Sequence, residues 1–286
     1  HALLAPGHQS PRLRLLAQAA QGGGLRLAAA LGYRLGEVGE QQRYPEPQRH
    51  GEDEPRRRLG GADQRLEPAF VALALAMPSE GDIAREIGQD VDPDANFRAR
   101  AHLRSAIGRA LDQPLEEAYR KMQTGGPYSP DAASAGRRSL KNTALDLLVA
   151  TGHAKHIAMA LAQYHAADNM TDRMAALAIL SQHDVPARTE ALQDFYQRYE
   201  SDPLIIDKWM GLQAMIPEGG TLERVRALTT HPAFSMNNPN RVRALIGSFA
   251  HGNTTQFNRA DGLGYDFVAD AVLTLDGKNP QVASRL

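Results

Sequence analysis

Apolar residues recur at spacings of three and four along most of the chain, which is the period of an amphipathic helix. The stretch from Asp202 to Ala250 shows this pattern best and contains three such runs. The first run has Leu204, Ile205, Trp209, Leu212 and Met215 at its apolar positions, and the third, which begins at Pro239, has Val242, Leu245, Ile246 and Phe249. Each run is therefore predicted to be a short helix with one buried face.

Several helix starts are marked by an acidic or hydroxyl residue followed by proline or glutamate. Asp92-Pro93 and Asp202-Pro203 place a capping carboxylate before a proline, which needs no N–H partner in the first turn. Ser79-Glu80 is a similar cap, and Pro114 is predicted to lie at a further helix start. Helix pairs recur roughly every thirty-two residues, and no strand pattern follows Leu66. The sequence therefore predicts an all-α fold of stacked antiparallel helix pairs, an α-solenoid-like superhelical layer.

Residues 1–66 differ in composition from the rest of the chain. They contain no Lys, Ile, Phe, Met, Thr, Asn or Trp, so they offer little apolar surface to offset the entropy of ordering. A poorly ordered segment is predicted, with short helices near Arg12–Ala20 and Leu25–Leu31 and disorder from Gly36 to Gly61. We interpret the segment as an out-of-frame or mistaken translation joined to a genuine domain, and a natural disordered tail is the open alternative.

Charge and cysteine content exclude several classes of partner and site. Lys and Arg number 32 against 33 Asp and Glu, a net charge of -1, so neither nucleic acid nor an anionic membrane is an expected partner. No run of roughly eighteen apolar residues is present to span a membrane. Because the chain has no cysteine, it has neither disulfides nor a thiolate zinc site. This composition fits a reducing compartment, and a cytoplasmic location is predicted.

Long segments of the chain carry a resemblance to a known family. DPLIIDKWMGLQA, LERVRALTTHPAF and NPNRVRALIGSFA resemble the C-terminal helical domain of bacterial aminopeptidase N, also called alanyl aminopeptidase, a zinc-dependent metallopeptidase of the gluzincin group. The resemblance extends through GPYSPDAASAGRRSLKN, NMTDRMAALAIL and DGLGYDFVADAVLTLDGKNPQVASRL. It implies that residues 67–286 are this domain, and because the family continues past Leu286, the domain is expected to be truncated at its C-terminal end.

The catalytic motifs of the family are absent from the sequence. The family binds one zinc ion through H-E-x-x-H on a helix and a second glutamate, and a G-x-M-E-N stretch binds the substrate's amino group. Neither motif occurs in this chain. The resemblance therefore implies a fragment of an aminopeptidase, whose zinc, peptide substrates and missing catalytic domain belong to the intact enzyme. We predict no catalytic residue, no metal site and no peptidase activity for this chain alone.

Two arginines are candidates for a role in the substrate chamber. In the family the helical domain closes over the catalytic domain, and some of its basic side chains face the enclosed chamber. The resemblance places Arg243, in NPNRVRAL, and Arg285, in VASRL, at such positions. An arginine offers a rigid fork of donors that suits a peptide carboxylate. The alternative is a surface ion pair of Arg243, for instance with Glu223.

The histidines of one predicted helix form another candidate site, and the repeat pattern permits a second function. His153 and His156 lie three residues apart on a predicted helix, but His165 is too far along the same helix to complete a metal site. They are predicted to be ordinary surface or partly buried histidines, and Trp209 is predicted to be a core residue. The alternative function is a free-standing helical-repeat module that binds a protein partner. Such a module needs polar capping helices at both ends, and these are not evident in the sequence.

Overall fold

The computed structural model describes residues 67–123 and 125–286, and every regular element within them is a helix. In chain order these are α1 (Pro68–Leu75), α2 (Glu80–Ile87), α3 (Pro93–Ala110), α4 (Asp112–Lys121), α5 (Ala132–Val149), α6 (Ala154–Ala166), α7 (Met170–Ser181), α8 (Pro186–Tyr199), α9 (Pro203–Ala214), α10 (Thr221–Leu228), α11 (Pro239–Val242), the π-helix π1 (Arg243–Gly247), α12 (Ser248–Gly252), α13 (Thr254–Phe257), α14 (Leu263–Asp276) and α15 (Pro280–Ala283). The all-α prediction is confirmed for this part of the chain.

The predictions for residues 1–66 lie outside the described residues. They include the poorly ordered segment and the short helices near Arg12–Ala20 and Leu25–Leu31. Among the helices that are described, none is both long enough and apolar enough to cross a membrane.

The predicted caps form as the sequence indicates. Ser79 and Asp82 make a reciprocal capping box: the Asp82 amide donates to Ser79 Oγ at 3.1 Å, and the Ser79 amide donates to Asp82 Oδ2 at 3.2 Å. Asp92 accepts from the Ala95 amide at 2.9 Å. Asp202 accepts from two amides in the first turn of α9. These side chains satisfy N–H groups that have no partner within the helix.

The start of α4 differs from the prediction. The helix begins at Asp112, directly after Leu111, which ends α3 and caps α4 at the same time. Pro114 therefore lies inside the first turn and not at the helix start. A proline is tolerated there because the first N–H groups of a helix have no carbonyl partner within it.

Consecutive helices pack as pairs across short connections. α6 packs against α7, α8 against α9, and α14 against α15. α5 is the central helix of the first half, since it contacts α1, α3, α4, α6 and α7. The predicted stack of helix pairs is confirmed.

Two clusters of buried apolar residues hold the stack together. The larger one runs from α5 to α15 and includes Tyr164, Phe195 and Phe249. The smaller one joins α3, α4 and α5. Trp209 belongs to the larger cluster, with 8% of its surface exposed and its indole N–H donating to the Leu192 carbonyl oxygen at 2.9 Å. Its predicted core role is confirmed.

The run that begins at Pro239 is helical, but its middle turn is a π turn. α11, π1 and α12 follow one another without a break. Gly211 of α9 lies against this segment: a Cβ on Gly211 would be 3.2 Å from the Ala244 carbonyl oxygen. π turns inside α-helices are rare and are found frequently at functional sites. Arg243 is the first residue of this turn.

Candidate functional site

Arg243 and Arg285 belong to segments that pack against each other. The C-terminal turn that follows α15 packs beside π1, since Leu286 Cδ2 is 3.8 Å from the point that a Gly247 Cβ would occupy. The same turn contacts α12, where His251 Nε2 lies 3.4 Å from the Arg285 carbonyl oxygen. The backbone of Arg285 therefore lies near the π1–α12 segment, although forty-two positions separate it from Arg243 in the sequence.

Both arginines are exposed, and neither is neutralised by a carboxylate. Arg243 Nη1 donates to Asn240 Oδ1 at 3.1 Å, an uncharged acceptor. No Asp or Glu of the described residues lies within ion-pair distance of Arg243 or Arg285. Glu223, the alternative partner of Arg243, instead faces Arg259 at 3.9 Å. Their guanidinium groups are thus available to an anionic ligand.

A charged cavity of about 340 Å³ lies between α3, α5, α7, α9 and α13. Arg104 is paired with Asp146, and Thr254 donates to Glu80, so most of the charge in this cavity is already partnered. Burial lowers the pKa of the Arg100 guanidinium, and the positive charge of Arg104 lowers it further. Sequence analysis did not find this cavity because its residues come from several elements that have no common motif.

The N-terminal ends of α4 and α6 bring together an aspartate and two histidines that are about forty residues apart in the sequence. Asp112, His153 and His156 each place one potential ligand atom within 4.8 Å of the others. His156 is 1% exposed, so it is more deeply buried than predicted. The sequence alone did not predict this cluster, because its third member lies on a different helix: Asp112 belongs to α4 and not to the helix of the two histidines.

This cluster does not fit the zinc site of the resembled family. The family's histidines lie at i and i+4 with a glutamate between them, whereas His153 is the N-cap of α6 and His156 follows it by three residues with only Ala154 and Lys155 between. No glutamate therefore lies between these two histidines in the position that the family's general base occupies.

Residues 52–286 match the sequence model of a family described as "Domain of unknown function (DUF3458_C) ARM repeats". The chain belongs to this family. ARM repeats are stacked helical units, in agreement with the fold observed here. The match covers the whole of the described structure and both candidate arginines.

Aminopeptidases are among the proteins to which this chain is similar. The chain is 43% identical to aminopeptidase N of Caulobacter vibrioides over 243 residues, which are 84% of this chain and 28% of the relative. It is 37% identical to aminopeptidase N of Escherichia coli over 78% of this chain and 26% of the relative. A crystal structure of Legionella pneumophila aminopeptidase A in complex with aspartic acid superposes with a TM-score of 0.70 at 29% identity, covering 78% of this chain and 27% of that one.

These matches confirm the resemblance to the C-terminal helical domain of aminopeptidase N. The chain spans about a quarter of the length of the relatives it matches. It thus corresponds to one region of a larger enzyme.

Proposed function

We propose that this chain is the C-terminal helical domain of a zinc-dependent aminopeptidase and that it encloses the peptide-binding chamber of the intact enzyme. The observation that carries this proposal is the 43% identity to aminopeptidase N over 84% of the chain. The catalytic domain is the proposed partner, peptides are the proposed substrates, and zinc is the cofactor of that partner domain. We place the enzyme in the cytoplasm, in keeping with the absence of cysteine.

Within this proposal, Arg243 and Arg285 bind the carboxylate end of the peptide. Both are exposed and have no acidic partner among the described residues. An arginine can donate two parallel hydrogen bonds to a carboxylate, which fixes its orientation as well as its position. The π turn supports this role, since it places Arg243 where the helix is locally distorted.

A free-standing interaction module is the less favoured function. The repeat fold alone permits it, because helical stacks commonly present a concave binding surface. However, the relatives and the solved structure described above are aminopeptidases, which favours the enzyme domain.

The chain alone is expected to show no peptidase activity. Purified protein would be incubated with an alanyl chromogenic substrate and added zinc, and release of the chromophore followed over time. The reason is that H-E-x-x-H and G-x-M-E-N are both absent, so no group is in place to hold and deprotonate the catalytic water. Zinc-dependent turnover that co-purifies with the chain through two chromatographic steps would refute this expectation.

Arg243→Ala in the full-length enzyme is expected to raise the KM for a peptide with a free C-terminal carboxylate by about tenfold or more. Loss of one hydrogen bond to a charged group costs about 1.5–3 kcal/mol, and 1.4 kcal/mol corresponds to a tenfold change in affinity. The KM for the same peptide with an amidated C-terminus should not change, because no carboxylate is present to bind. Steady-state kinetics on both substrates provide the measurement.

Two further variants make the result specific. Arg243→Lys should recover part of the loss, since it keeps the charge but not the fork of donors. Arg98→Ala, which removes an exposed arginine of α3, serves as the matched control and should leave both KM values unchanged. An equal rise in KM for the carboxylate and amide peptides would rule out carboxylate binding by Arg243.

A further inference from the structure

The side chain of His156 faces two carboxylates. Its Nε2 lies 3.1 Å from Glu116 Oε1 and 3.4 Å from Asp112 Oδ1. Both carboxylates belong to α4, where they are four residues apart and hence on one helix face. His156 itself is buried at the start of α6. An electron-rich pocket therefore surrounds one nitrogen of this imidazole.

The other nitrogen of His156 determines what Nε2 can do. Nδ1 lies 3.0 Å from the Leu148 carbonyl oxygen, which can only accept a hydrogen bond. Nδ1 therefore carries the proton in the neutral ring, and Nε2 presents its lone pair to the two carboxylates. Nε2 and Asp112 Oδ1, which are 3.4 Å apart, are then two acceptors with no donor between them. A histidine whose Nδ1–H donates to a backbone carbonyl and whose Nε2 is free is the arrangement seen in metal-binding histidines.

Asp112 provides an independent observation. Its Oδ1 atom is buried and receives no hydrogen bond from any described residue. A buried acceptor without a donor costs free energy, which a bound cation would remove. His153 completes the cluster: its ring stacks on that of His156 with the centroids 5.5 Å apart, and its side chain is exposed and free to turn.

We propose that Asp112, His153 and His156 bind one divalent cation of the zinc class. Zinc favours imidazole nitrogen and carboxylate oxygen in tetrahedral sites with bonds of about 2.0–2.1 Å, so its ligand atoms lie roughly 3.3 Å apart. The 3.4 Å between His156 Nε2 and Asp112 Oδ1 already matches this spacing. The three ligand atoms lie within 4.8 Å of one another, so a small rotation of the exposed His153 is sufficient to close the site.

Glu116 lies at the edge of this site, 3.1 Å from His156 Nε2, and Lys155 pairs with its carboxylate in competition with a bound cation. Lys155 Nζ donates to Glu116 Oε1 at 2.5 Å, but the lysine side chain is 66% exposed and can withdraw into solvent. This site is independent of the proposed peptidase role.

Zinc binding by the intact chain tests the proposal. Protein stripped with a chelator would be titrated with zinc against a chromogenic indicator, and bound metal counted by atomic absorption after dialysis. We expect one zinc per chain. His153→Ala and Asp112→Asn should each weaken binding by at least about 100-fold, the upper end of the loss seen for second-shell partners of a metal. Zinc should also raise the Tm of the wild type but not that of either variant.

Two variants serve as matched controls. His165→Ala removes an exposed histidine of the same helix that contacts Glu190 at 3.0 Å, and it should leave zinc affinity unchanged. Lys155→Met removes the competing cation and should tighten binding about two- to fivefold. If the wild type retains no zinc, or if His153→Ala and Asp112→Asn bind as the wild type does, the proposal is overturned and His156 is an imidazolium held by the two carboxylates.

Discussion

Replacing Lys141 with methionine is expected to lower the free energy of unfolding by about 3–5 kcal/mol, the usual cost of breaking a buried ion pair from one side. Lys141 Nζ of α5 donates to Asp172 Oδ2 of α7 at 2.6 Å. Each of the two side chains is only 5% exposed. Without the lysine, the aspartate would remain buried with an uncompensated charge, and this is the main reason for the large effect.

The groups around Asp172 keep its carboxylate ionised. Burial raises the pKa of Asp172, but hydrogen bonds from Lys141, Asn169 and Asn142 outweigh it and leave the pKa below its ordinary value. Asn142 Nδ2 donates to Oδ1 at 3.0 Å, and Asn169 Nδ2 donates to Oδ2 at 3.1 Å. The pair therefore belongs to a network that joins α5 to the start of α7, so its loss affects the packing of both helices.

Urea unfolding followed by circular dichroism measures this effect. Lys121→Met is the matched control, since Lys121 and Glu117 form an ion pair of the same 2.6 Å length on an exposed surface and should contribute about 0–1 kcal/mol. The double variant Lys141→Met/Asp172→Asn should be less destabilised than the sum of the single variants, because no charge is left unpaired. A loss for Lys141→Met no larger than that of the control would contradict the prediction.

Gly108→Ala is expected to destabilise the protein by about 3 kcal/mol or more. Gly108 lies where α3 crosses α5, and an added Cβ would be 2.1 Å from the Leu147 carbonyl oxygen and 2.8 Å from Thr151 Cγ2. Overpacking a core costs about 1–3 kcal/mol and occasionally more. The upper end applies here because the obstructing atom is a backbone carbonyl of a regular helix, which cannot rotate away.

The control for Gly108 is another helical glycine with free space around it. Gly81 of α2 would bring a Cβ no closer than 3.9 Å to Ser79 Oγ, so Gly81→Ala should gain up to about 1 kcal/mol from helix propensity. Thermal and urea unfolding of both variants test the comparison. Similar stabilities for Gly108→Ala and the wild type would mean that the two helices can separate without cost.

Local signals in the sequence predicted the helices and most of their starts. Ser79, Asp92 and Asp202 are recognisable because a cap acts on residues two or three positions away. Trp209 was predicted as a core residue from the apolar stripe of its own helix. Features of this kind depend on neighbours in sequence, so a pattern is sufficient to find them.

Features that depend on tertiary placement could not be predicted in this way. Asp172 is thirty-one residues from Lys141, and nothing in either segment indicates that they form a buried pair. Gly108 is one of many glycines, and only the crossing of α3 and α5 shows why no larger residue fits. Asp112 joins His153 and His156 because α4 follows α3 without a loop, a connection that the prediction from Pro114 had placed two residues later.

The π turn at Arg243–Gly247 holds one residue more than an α-helical turn would hold. Each residue of an α-helix turns the chain by about 100°, so if the same residues formed a regular α-helix, the side chains of α12 would be rotated by about that angle. His251 would then no longer face the C-terminal turn. Deleting one residue from the π turn should therefore leave an unbroken α-helix that still presents His251 to this surface.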